Sequence, residues 1–246
     1  MGHITRRNDA FGREIWSYLN GGPPFEIVER DDGYIDAAMS TSSYFADFPR
    51  WPSRQKQAMK FVKGKTALDV GCGAGRVSLY LQRKGFRVTA IDASPLAVRT
   101  CRKRGVTNAR VLAFEDIGGL SRNRFDTVVM FGNNFGLFGS LKKARRLLRA
   151  LHRMTSDDAV IIAETRNPYV TSNPAHRRYL KRNRQRGRMS GQIRIRVRFQ
   201  ASATPWFDYL LVSPAEMKEI LKGTGWKVRR FLEGNRACYI AVLDRV

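Results

Sequence analysis

The 246-residue sequence has few of the residues that build disulfide or metal sites. It contains three cysteines, none in a CxxC pair, and three histidines, none at zinc-binding spacing from a cysteine. A disulfide framework and a metal site are therefore not expected. No apolar run approaches the roughly 18 residues of a membrane span, and residues 1–20 lack a signal-peptide core. We expect a soluble, cytoplasmic protein.

Acidic residues are also scarce. The chain has 21 Asp and Glu against 45 Lys and Arg, which gives a net charge of +24. Such a charge favours anionic partners, namely nucleic acid, phosphorylated metabolites or membrane surfaces. Genome composition or thermal adaptation would produce the same bias, so charge alone does not identify the partner. Because 43% of the residues are hydrophobic, the chain can bury a core and is not disordered.

Short strands and helices alternate from residue 66 onward. Residues 1–62 are interpreted as an N-terminal helical cap, and residues 63–246 as one α/β domain. Seven strands are predicted, and their alternation with helices predicts a doubly wound, mostly parallel sheet. Only residues 233–236 separate the last two strands, which is too short for a helical crossover. These strands are therefore predicted to form an antiparallel C-terminal hairpin.

Residues 165–212 interrupt this alternation and are interpreted as a basic lid inserted after the fifth strand. From 165 to 207 there are eleven basic residues and no acidic one. Residues 192–199 alternate arginine with apolar side chains, which predicts a strand with one arginine face. Residues 203–211 are a candidate partner strand. Arginines beside aromatic residues suit recognition of phosphates and stacked bases, but an arginine face exposed to solvent over a small-molecule pocket explains the same pattern.

A glycine loop follows the first predicted strand of the domain and precedes a helix. Asp69-Val70-Gly71-Cys72-Gly73-Ala74-Gly75 has its third glycine at 75 and not at 76, where a dinucleotide-binding fingerprint would require it. The loop resembles motif I of the class I S-adenosylmethionine-dependent methyltransferases. The ends of the next two strands, at Asp92 and Asp116, and the fourth strand, which begins Phe125-Asp126-Thr127-Val128-Val129, resemble further motifs of that family in the same order.

The resemblance implies S-adenosylmethionine as the cofactor and assigns roles to several residues. In this family the glycine loop wraps the methionine part, an acid after the second strand binds the ribose, and an acidic residue after the third strand meets the adenine. The implied cofactor-binding residues are Asp69, Gly71, Cys72, Gly73, Gly75, Asp92, Ala93, Asp116, Ile117, Phe131 and Asn133.

The methyl acceptor is less well defined. The chain lacks an (N/D/S)-P-P-(Y/F) motif after the fourth strand and a cysteine placed to attack cytosine. No catalytic residue is obligatory, because the sulfonium methyl group is already activated. Candidates are Asn133, His176 and Tyr179 for catalysis, and Tyr44, Asn134, Arg166, Trp206 and Tyr209 for substrate binding. We expect a small acceptor, either neutral or anionic. An RNA methyltransferase is the alternative, a non-enzymatic nucleic-acid-binding protein is less favoured, and the oligomeric state stays open.

Overall fold

The computed structural model describes residues 4–5, 7–37, 40–120, 124–234 and 237–246. Within these ranges, the strands are β1 (Ile27–Arg30), β2 (Ile35–Asp36), β3 (Thr66–Val70), β4 (Arg87–Asp92), β5 (Ala109–Val111), β6 (Phe125–Met130), β7 (Thr155–Arg166), β8 (Gln192–Phe199), β9 (Ser202–Ala203), β10 (Phe207–Leu210), β11 (Trp226–Glu233) and β12 (Cys238–Arg245). The α-helices are α1 (Ala10–Leu19), α2 (Ser53–Ala58), α3 (Arg76–Arg83), α4 (Pro95–Lys103), α5 (Leu141–Arg153), α6 (Pro174–Gln185) and α7 (Pro214–Leu221).

Seven strands form the main sheet, in the order β11-β12-β7-β6-β3-β4-β5. The pairs β4–β5 and β6–β7 are parallel, whereas β12 is antiparallel to both β7 and β11. The predicted α/β fold with a C-terminal antiparallel hairpin is thus confirmed. Residues 235 and 236 of the predicted turn lie outside the described ranges. Ala159 to Ala163 of β7 are fully buried, as expected for a strand covered on both faces.

Two helices begin where the local sequence predicts. The Ser94 hydroxyl accepts a hydrogen bond from the Ala97 amide, and Pro95 occupies the first turn of α4. At α7, Ser213 and Glu216 form a reciprocal capping box. These caps satisfy amide groups that the helix itself leaves unpaired.

The chain divides into two compact units. The first comprises 1–51, 67–114 and 194–207, and the second comprises 52–66, 115–193 and 208–246. The first unit contains β3, β4 and β5 with α1, α3 and α4. The second contains β6, β7, β11 and β12 with the helices α2, α5, α6 and α7.

A second sheet has the order β10-β8-β1-β2, with β9 beside β8. The strand at 192–199 and a partner from 203–211 were predicted and are present as β8 with β9 and β10, whereas the addition of β1 and β2 was not predicted. In the first unit, β1 pairs antiparallel with β8, so that Val28 lies opposite Val197 and Glu29 opposite Arg196. The N-terminal segment is therefore not purely helical, because it contains β1 and β2. β1 was not predicted because its partner, β8, belongs to the insertion, and no local pattern in residues 1–62 indicates that pairing.

Candidate active site

The glycine loop joins β3 to α3 in the first unit. Gly71, Gly73 and Gly75 all have positive φ angles, of 68°, 54° and 81°, a conformation that other residues rarely adopt. The amides of Gly71 and Cys72 both donate to the carbonyl of Ile91, at 2.9 and 3.1 Å. The loop is thus fixed against the end of β4.

Gly73 and Gly75 have different surroundings. A Cβ atom at Gly75 would lie 2.8 Å from Val106 Cγ2 and 3.0 Å from Cys101 Sγ, so this glycine is required by packing. A Cβ atom at Gly73 would meet nothing closer than 3.4 Å. Packing therefore does not require a glycine at 73, where a Cβ atom would make only ordinary van der Waals contacts, whereas it does at 75.

Asp92 ends β4 and holds the loop with both carboxylate oxygens. Oδ2 accepts from the Gly73 amide at 3.0 Å, and Oδ1 accepts from the Ser94 amide at 2.9 Å, across the half-buried Ala93. Each oxygen retains a lone pair for a further donor. Burial raises the pKa of Asp92 to about 6, and the nearby carboxyls of Asp9 and Asp69 act in the same direction.

Asp69 faces the interior of the first unit. Its carboxylate accepts a 2.6 Å hydrogen bond from the Ser78 hydroxyl on α3. Burial raises the pKa of Asp69 to about 6, although the Ser78 bond opposes that shift. This contact anchors α3 behind the loop, so cofactor contact by the Asp69 side chain stays a prediction.

Cys72 lies with its Sγ atom 3.5 Å from that of Cys101, and the Cys101 thiol donates to the Gly73 carbonyl at 3.1 Å. The hydrogen bond with Cys101 and burial raise the pKa of the Cys72 thiol. A thiol with a raised pKa is a poor nucleophile. The geometry therefore supports a packing role.

The helix α1 is fixed next to the glycine loop by Asp9, which the sequence analysis missed. The buried Asp9 carboxylate caps α1 through the Gly12 amide and also accepts hydrogen bonds from the Ser94 hydroxyl and the Leu96 amide, at 2.9 and 3.0 Å. One carboxylate thus joins the beginnings of α1 and α4. An Asp before an amphipathic helix is the signal that could have identified the cap.

Three side chains of the N-terminal segment lie over Gly73. From the position of a Cβ atom on Gly73, Tyr44 Cδ1 is 3.4 Å away, and Ile15 Cδ1 and Phe11 Cζ are each 3.8 Å away. Phe11 and Tyr44 form an edge-to-face pair with ring centroids 5.5 Å apart. Tyr44, a predicted substrate residue, therefore lies at the loop, together with two apolar residues that the sequence analysis did not single out.

In the second unit, the turn after β6 is held by Glu164, another residue that the sequence analysis missed. The buried Glu164 carboxylate accepts from the Gly132 amide at 2.8 Å, from Arg54 Nε at 2.9 Å and from Gln55 Nε2 at 2.7 Å. A carboxylate bound by three donors fixes the backbone at the end of β6.

Asn133 follows that turn with a positive φ of 63°. Its backbone carbonyl accepts a 2.6 Å hydrogen bond from the Tyr209 hydroxyl. Among the described residues, its buried Oδ1 atom has no hydrogen-bond partner, which leaves an acceptor for a ligand. Phe131 is buried and Asn134 is half-buried beside it, so four predicted residues, Phe131, Asn133, Asn134 and Tyr209, cluster here.

The other predicted site residues are separately placed. Asp116 is exposed and Ile117 fully buried in the 3-10 helix Phe114–Leu120. His176 Nδ1 lies 3.3 Å from Thr171 Oγ1 and Tyr179 is buried, both on α6. Arg166 is exposed at the end of β7, and the ring of Trp206 is covered by Arg196 at 4.5 Å.

The part of the chain that the structure describes contains neither a metal-binding cluster nor a membrane-spanning helix. No three His, Cys, Asp or Glu side chains in it are arranged to hold a metal ion. In the same ranges, no helix is long and apolar enough to cross a membrane.

Comparison with known sequences identifies part of the chain. Residues 68–163 match the sequence model of a methyltransferase domain. A ubiquinone biosynthesis O-methyltransferase of Xanthomonas oryzae is 31% identical over an alignment of 105 residues that covers 37% of this chain and 44% of that protein. A tRNA (uracil(54)-C(5))-methyltransferase of Pyrococcus horikoshii is 32% identical over 120 residues, 48% of this chain and 29% of the other. The chain thus spans less than half the length of these relatives.

Comparison with solved structures extends over the whole chain. A methyltransferase from Bacteroides fragilis, solved with S-adenosyl-L-homocysteine, superposes with a TM-score of 0.82 at 23% identity, covering 100% of this chain and 98% of the other. A second, from Methanosarcina mazei, gives 0.60 at 17% identity over 82% of this chain and 99% of the other. The described fold is that of these enzymes. The chain thus contains a methyltransferase domain at residues 68–163 and has the fold of S-adenosylmethionine-dependent methyltransferases.

Proposed function

We propose that the protein transfers a methyl group from S-adenosylmethionine to a small-molecule acceptor. The observation that carries the proposal is the glycine loop itself, whose Gly73 amide is held by the buried Asp92 carboxylate and whose Gly73 Cβ position lies within contact distance of Phe11, Ile15 and Tyr44. A cofactor bound at the Gly73 backbone would be held by the loop and covered by these apolar and aromatic side chains of the N-terminal segment. Such a cover excludes water and suits a small acceptor better than a long polymer.

The charges around the loop support a cationic cofactor. Asp9, Asp69 and Asp92 are all buried in the first unit, and the Asp92 carboxyl is influenced by both of the others. S-adenosylmethionine supplies a methyl group on a positively charged sulfonium, together with an ammonium group. Neighbouring carboxylates stabilise positive charge in a site of low dielectric.

The residues of the chain would act mainly by binding and orientation. Asp92 has free lone pairs for the hydroxyl donors of a ribose, as the family resemblance implies, and the loop amides are already oriented by Ile91 and Asp92. A preorganised site of this kind lowers the barrier by proximity and alignment. Asn133, with its unpartnered Oδ1, is a candidate for a polar contact to the ligand.

The proposal predicts binding of S-adenosylhomocysteine and not of NAD. In calorimetry near pH 8, where Asp92 is ionised, we expect micromolar affinity for S-adenosylhomocysteine and no measurable heat with NAD. Asp92→Asn should weaken S-adenosylhomocysteine binding by about 10- to 100-fold, the range for a hydrogen bond to a charged group.

Asp157→Asn is the matched control, because the Asp157 side chain is 86% exposed and its ion pairs lie on the surface. Its affinity should equal that of the wild type. Unchanged affinity in a folded Asp92→Asn variant would remove Asp92 from the site. Failure of the wild-type protein to bind S-adenosylhomocysteine would overturn the proposed function.

An RNA acceptor is the second candidate, and one observation favours it. On α6, the basic residues at 177, 178, 181, 182 and 184 are all exposed, and no acidic residue occurs between 165 and 207. An exposed cationic helix of this kind suits contact with phosphates. The partial similarity to a tRNA methyltransferase is consistent with it.

A further inference from the structure

The segment that covers Gly73 contains two buried carboxyl groups that have no part in the proposed cofactor site. Glu14 lies on α1 beside Ile15 and is fully buried, and Glu26 lies just before β1 and is 5% exposed. A buried carboxyl group is unfavourable unless it is paired. Two of them in one segment therefore call for a physical explanation.

Tyr44 connects these acids to the glycine loop. Its hydroxyl donates to Glu26 Oε2 at 2.9 Å, while its ring lies 3.4 Å from the Cβ position of Gly73. Glu14 is bound from the same 3-10 helix, Thr41–Tyr44, because its carboxylate accepts a hydrogen bond from the Thr41 hydroxyl. Both acids are thus held by the 3-10 helix whose Tyr44 ring lies against the loop at Gly73.

The hydrogen bonds of this cluster are incomplete. Thr41 Oγ1 donates to Glu14 Oε1 at 2.5 Å. Within the described ranges, Glu14 Oε2 is buried and has no hydrogen-bond partner. An acceptor left unpaired in the interior costs free energy, so a donor supplied by a ligand would stabilise this arrangement.

The charged groups that act on the two acids are themselves acidic. Glu26 acts on Glu14, and Asp36 acts on Glu26. Burial raises the pKa of Glu14 to about 8 and that of Glu26 to about 7, against the opposing hydrogen bonds from Thr41 and Tyr44. A cation placed between them would relieve the repulsion and favour the ionised carboxylates.

We propose that Glu14 and Glu26 form the subsite for the amino group of the methyl acceptor, and hence that the acceptor is a small amine. This assignment rests on the proposed function and names its substrate class. Charge-assisted hydrogen bonds from an ammonium group would satisfy the carboxylates, and the faces of Phe11 and Tyr44 are suited to a nearby cation. The proposal departs from the expectation that the sequence supports, which allows an anionic acceptor.

The chemistry of the step balances with one carboxylate. Ionised Glu26 accepts a proton from the acceptor's ammonium group, which frees the nitrogen lone pair. That nitrogen forms a bond to the methyl carbon while the bond from carbon to sulfur breaks, and the electron pair stays on sulfur. The products are a methylated ammonium, a neutral thioether and a protonated Glu26.

Three probes of similar size and different charge test the subsite: phenethylamine, 2-phenylethanol and phenylacetate. Each is titrated by calorimetry into the wild-type protein, with and without S-adenosylhomocysteine. We expect phenethylamine to bind at least about tenfold more tightly than the alcohol, with phenylacetate weakest. Glu26→Gln should abolish this preference, and Glu14→Gln should reduce it severalfold. Equal binding of amine and alcohol by the wild type would overturn the proposal, as would an unchanged preference in both variants.

The controls separate the acceptor from the cofactor. Asp31→Asn, at an exposed carboxyl in the turn after β1, should leave both the amine preference and S-adenosylhomocysteine affinity at wild-type values. The Glu14 and Glu26 variants should bind S-adenosylhomocysteine within about twofold of the wild type. A large loss of that affinity would show that the cluster binds the ammonium group of the cofactor and would overturn the assignment to the acceptor.

The experiment still tests the subsite if a variant does not fold or if the wild type does not bind S-adenosylhomocysteine. If one of the two glutamine variants does not fold, the other still tests the subsite, because each removes one of the paired charges. If the wild type binds no S-adenosylhomocysteine, the proposed function fails. The titrations without S-adenosylhomocysteine still test the amine subsite in that case, so the two failures are distinguishable.

Discussion

Gly73 and Gly75 have the same kind of backbone conformation but different packing environments. Both have a positive φ, but the side of Gly75 is filled by Val106 and Cys101, whereas the side of Gly73 faces Phe11, Ile15 and Tyr44 across ordinary van der Waals distances. The resemblance to motif I predicts both as cofactor-binding residues. The packing distinguishes Gly75, which its neighbours require, from Gly73, where a Cβ atom would make only ordinary contacts.

We expect alanine substitutions at these two positions to separate stability from binding. Gly75→Ala should lower the free energy of unfolding by about 2–4 kcal/mol, because strain at positive φ adds to overpacking against Val106. Gly73→Ala should cost only about 1–2 kcal/mol from backbone strain and should weaken S-adenosylhomocysteine binding at least tenfold in the folded protein.

Urea unfolding and calorimetry on the same samples make both measurements. Gly33→Ala is the control, since Gly33 also has a positive φ and nothing lies within 4 Å of its Cβ position. It should show the strain cost without any loss of affinity. A Gly73→Ala protein that binds as tightly as the wild type would contradict the placement of the cofactor beside Gly73.

At the scale of elements, the insertion carries two kinds of arginine. On β8, Arg196 and Arg198 both bind Glu29 of the neighbouring strand, at 2.8 and 3.1 Å, and Arg196 also stacks on Trp206. On α6 the arginines are exposed. The alternating sequence of β8 predicts an arginine face, but it does not reveal that a single acid from β1 neutralises part of it.

Polyanion binding should therefore depend on α6 more than on β8. Each phosphate contact contributes about 0.7–0.9 to the slope of log affinity against log salt. Replacing Arg177, Arg178 and Arg182 by Gln should therefore reduce the magnitude of that slope for tRNA by about 2. Replacing Arg196 and Arg198 by Gln should change that slope by less than one unit, because Glu29 already compensates one of the two positive charges.

Fluorescence anisotropy at several salt concentrations gives the slopes. Equal flattening by the two sets would contradict the division between α6 and β8. A wild-type slope near zero would remove RNA as a candidate acceptor. Methyl transfer that persists on a small amine in the α6 variant would favour the small-molecule proposal.

The whole molecule carries a large positive charge, yet its interior is rich in protonatable acids. Burial raises the pKa values of Glu14, Glu26, Asp69 and Asp92 to between about 6 and 8. The folded protein therefore binds more protons than the unfolded chain between about pH 4 and pH 8. Stability contributed by these groups is present at the lower pH and is lost as the pH rises.

We expect the thermal midpoint to be higher near pH 5.5 than near pH 8. Asp126, whose pKa is lowered to about 2 by hydrogen bonds from the backbone and from Thr66, acts oppositely, but only below about pH 4. Calorimetric scans of the wild type and of a Glu14→Gln, Glu26→Gln double variant measure the effect. The double variant should show a flatter pH profile, and a wild-type midpoint that rises steadily from pH 5.5 to 8 would refute the expectation.

Most of the main sheet was predictable from the sequence because its signals are local. Apolar runs such as Ala159 to Ala163, the cap at Ser94 and the capping box at Ser213 each lie within a few residues of the element that they define. The glycine loop and Asp92 were predictable for the same reason. The rest depends on partners far away in the chain, as Glu164 with Arg54 and Glu29 with Arg196 illustrate.

The pairing of β1 with β8 also has a consequence for biosynthesis. Glu29 and Arg196 are 167 positions apart, and β2 offers β1 only a two-residue partner. A ribosome releases the N-terminal segment first, so β1 emerges long before β8 has been translated. Contacts between such distant segments form slowly. β1, which follows Glu26, therefore gains its main partner late. A nascent chain that ends before β8 would present β1 as an open edge to chaperones.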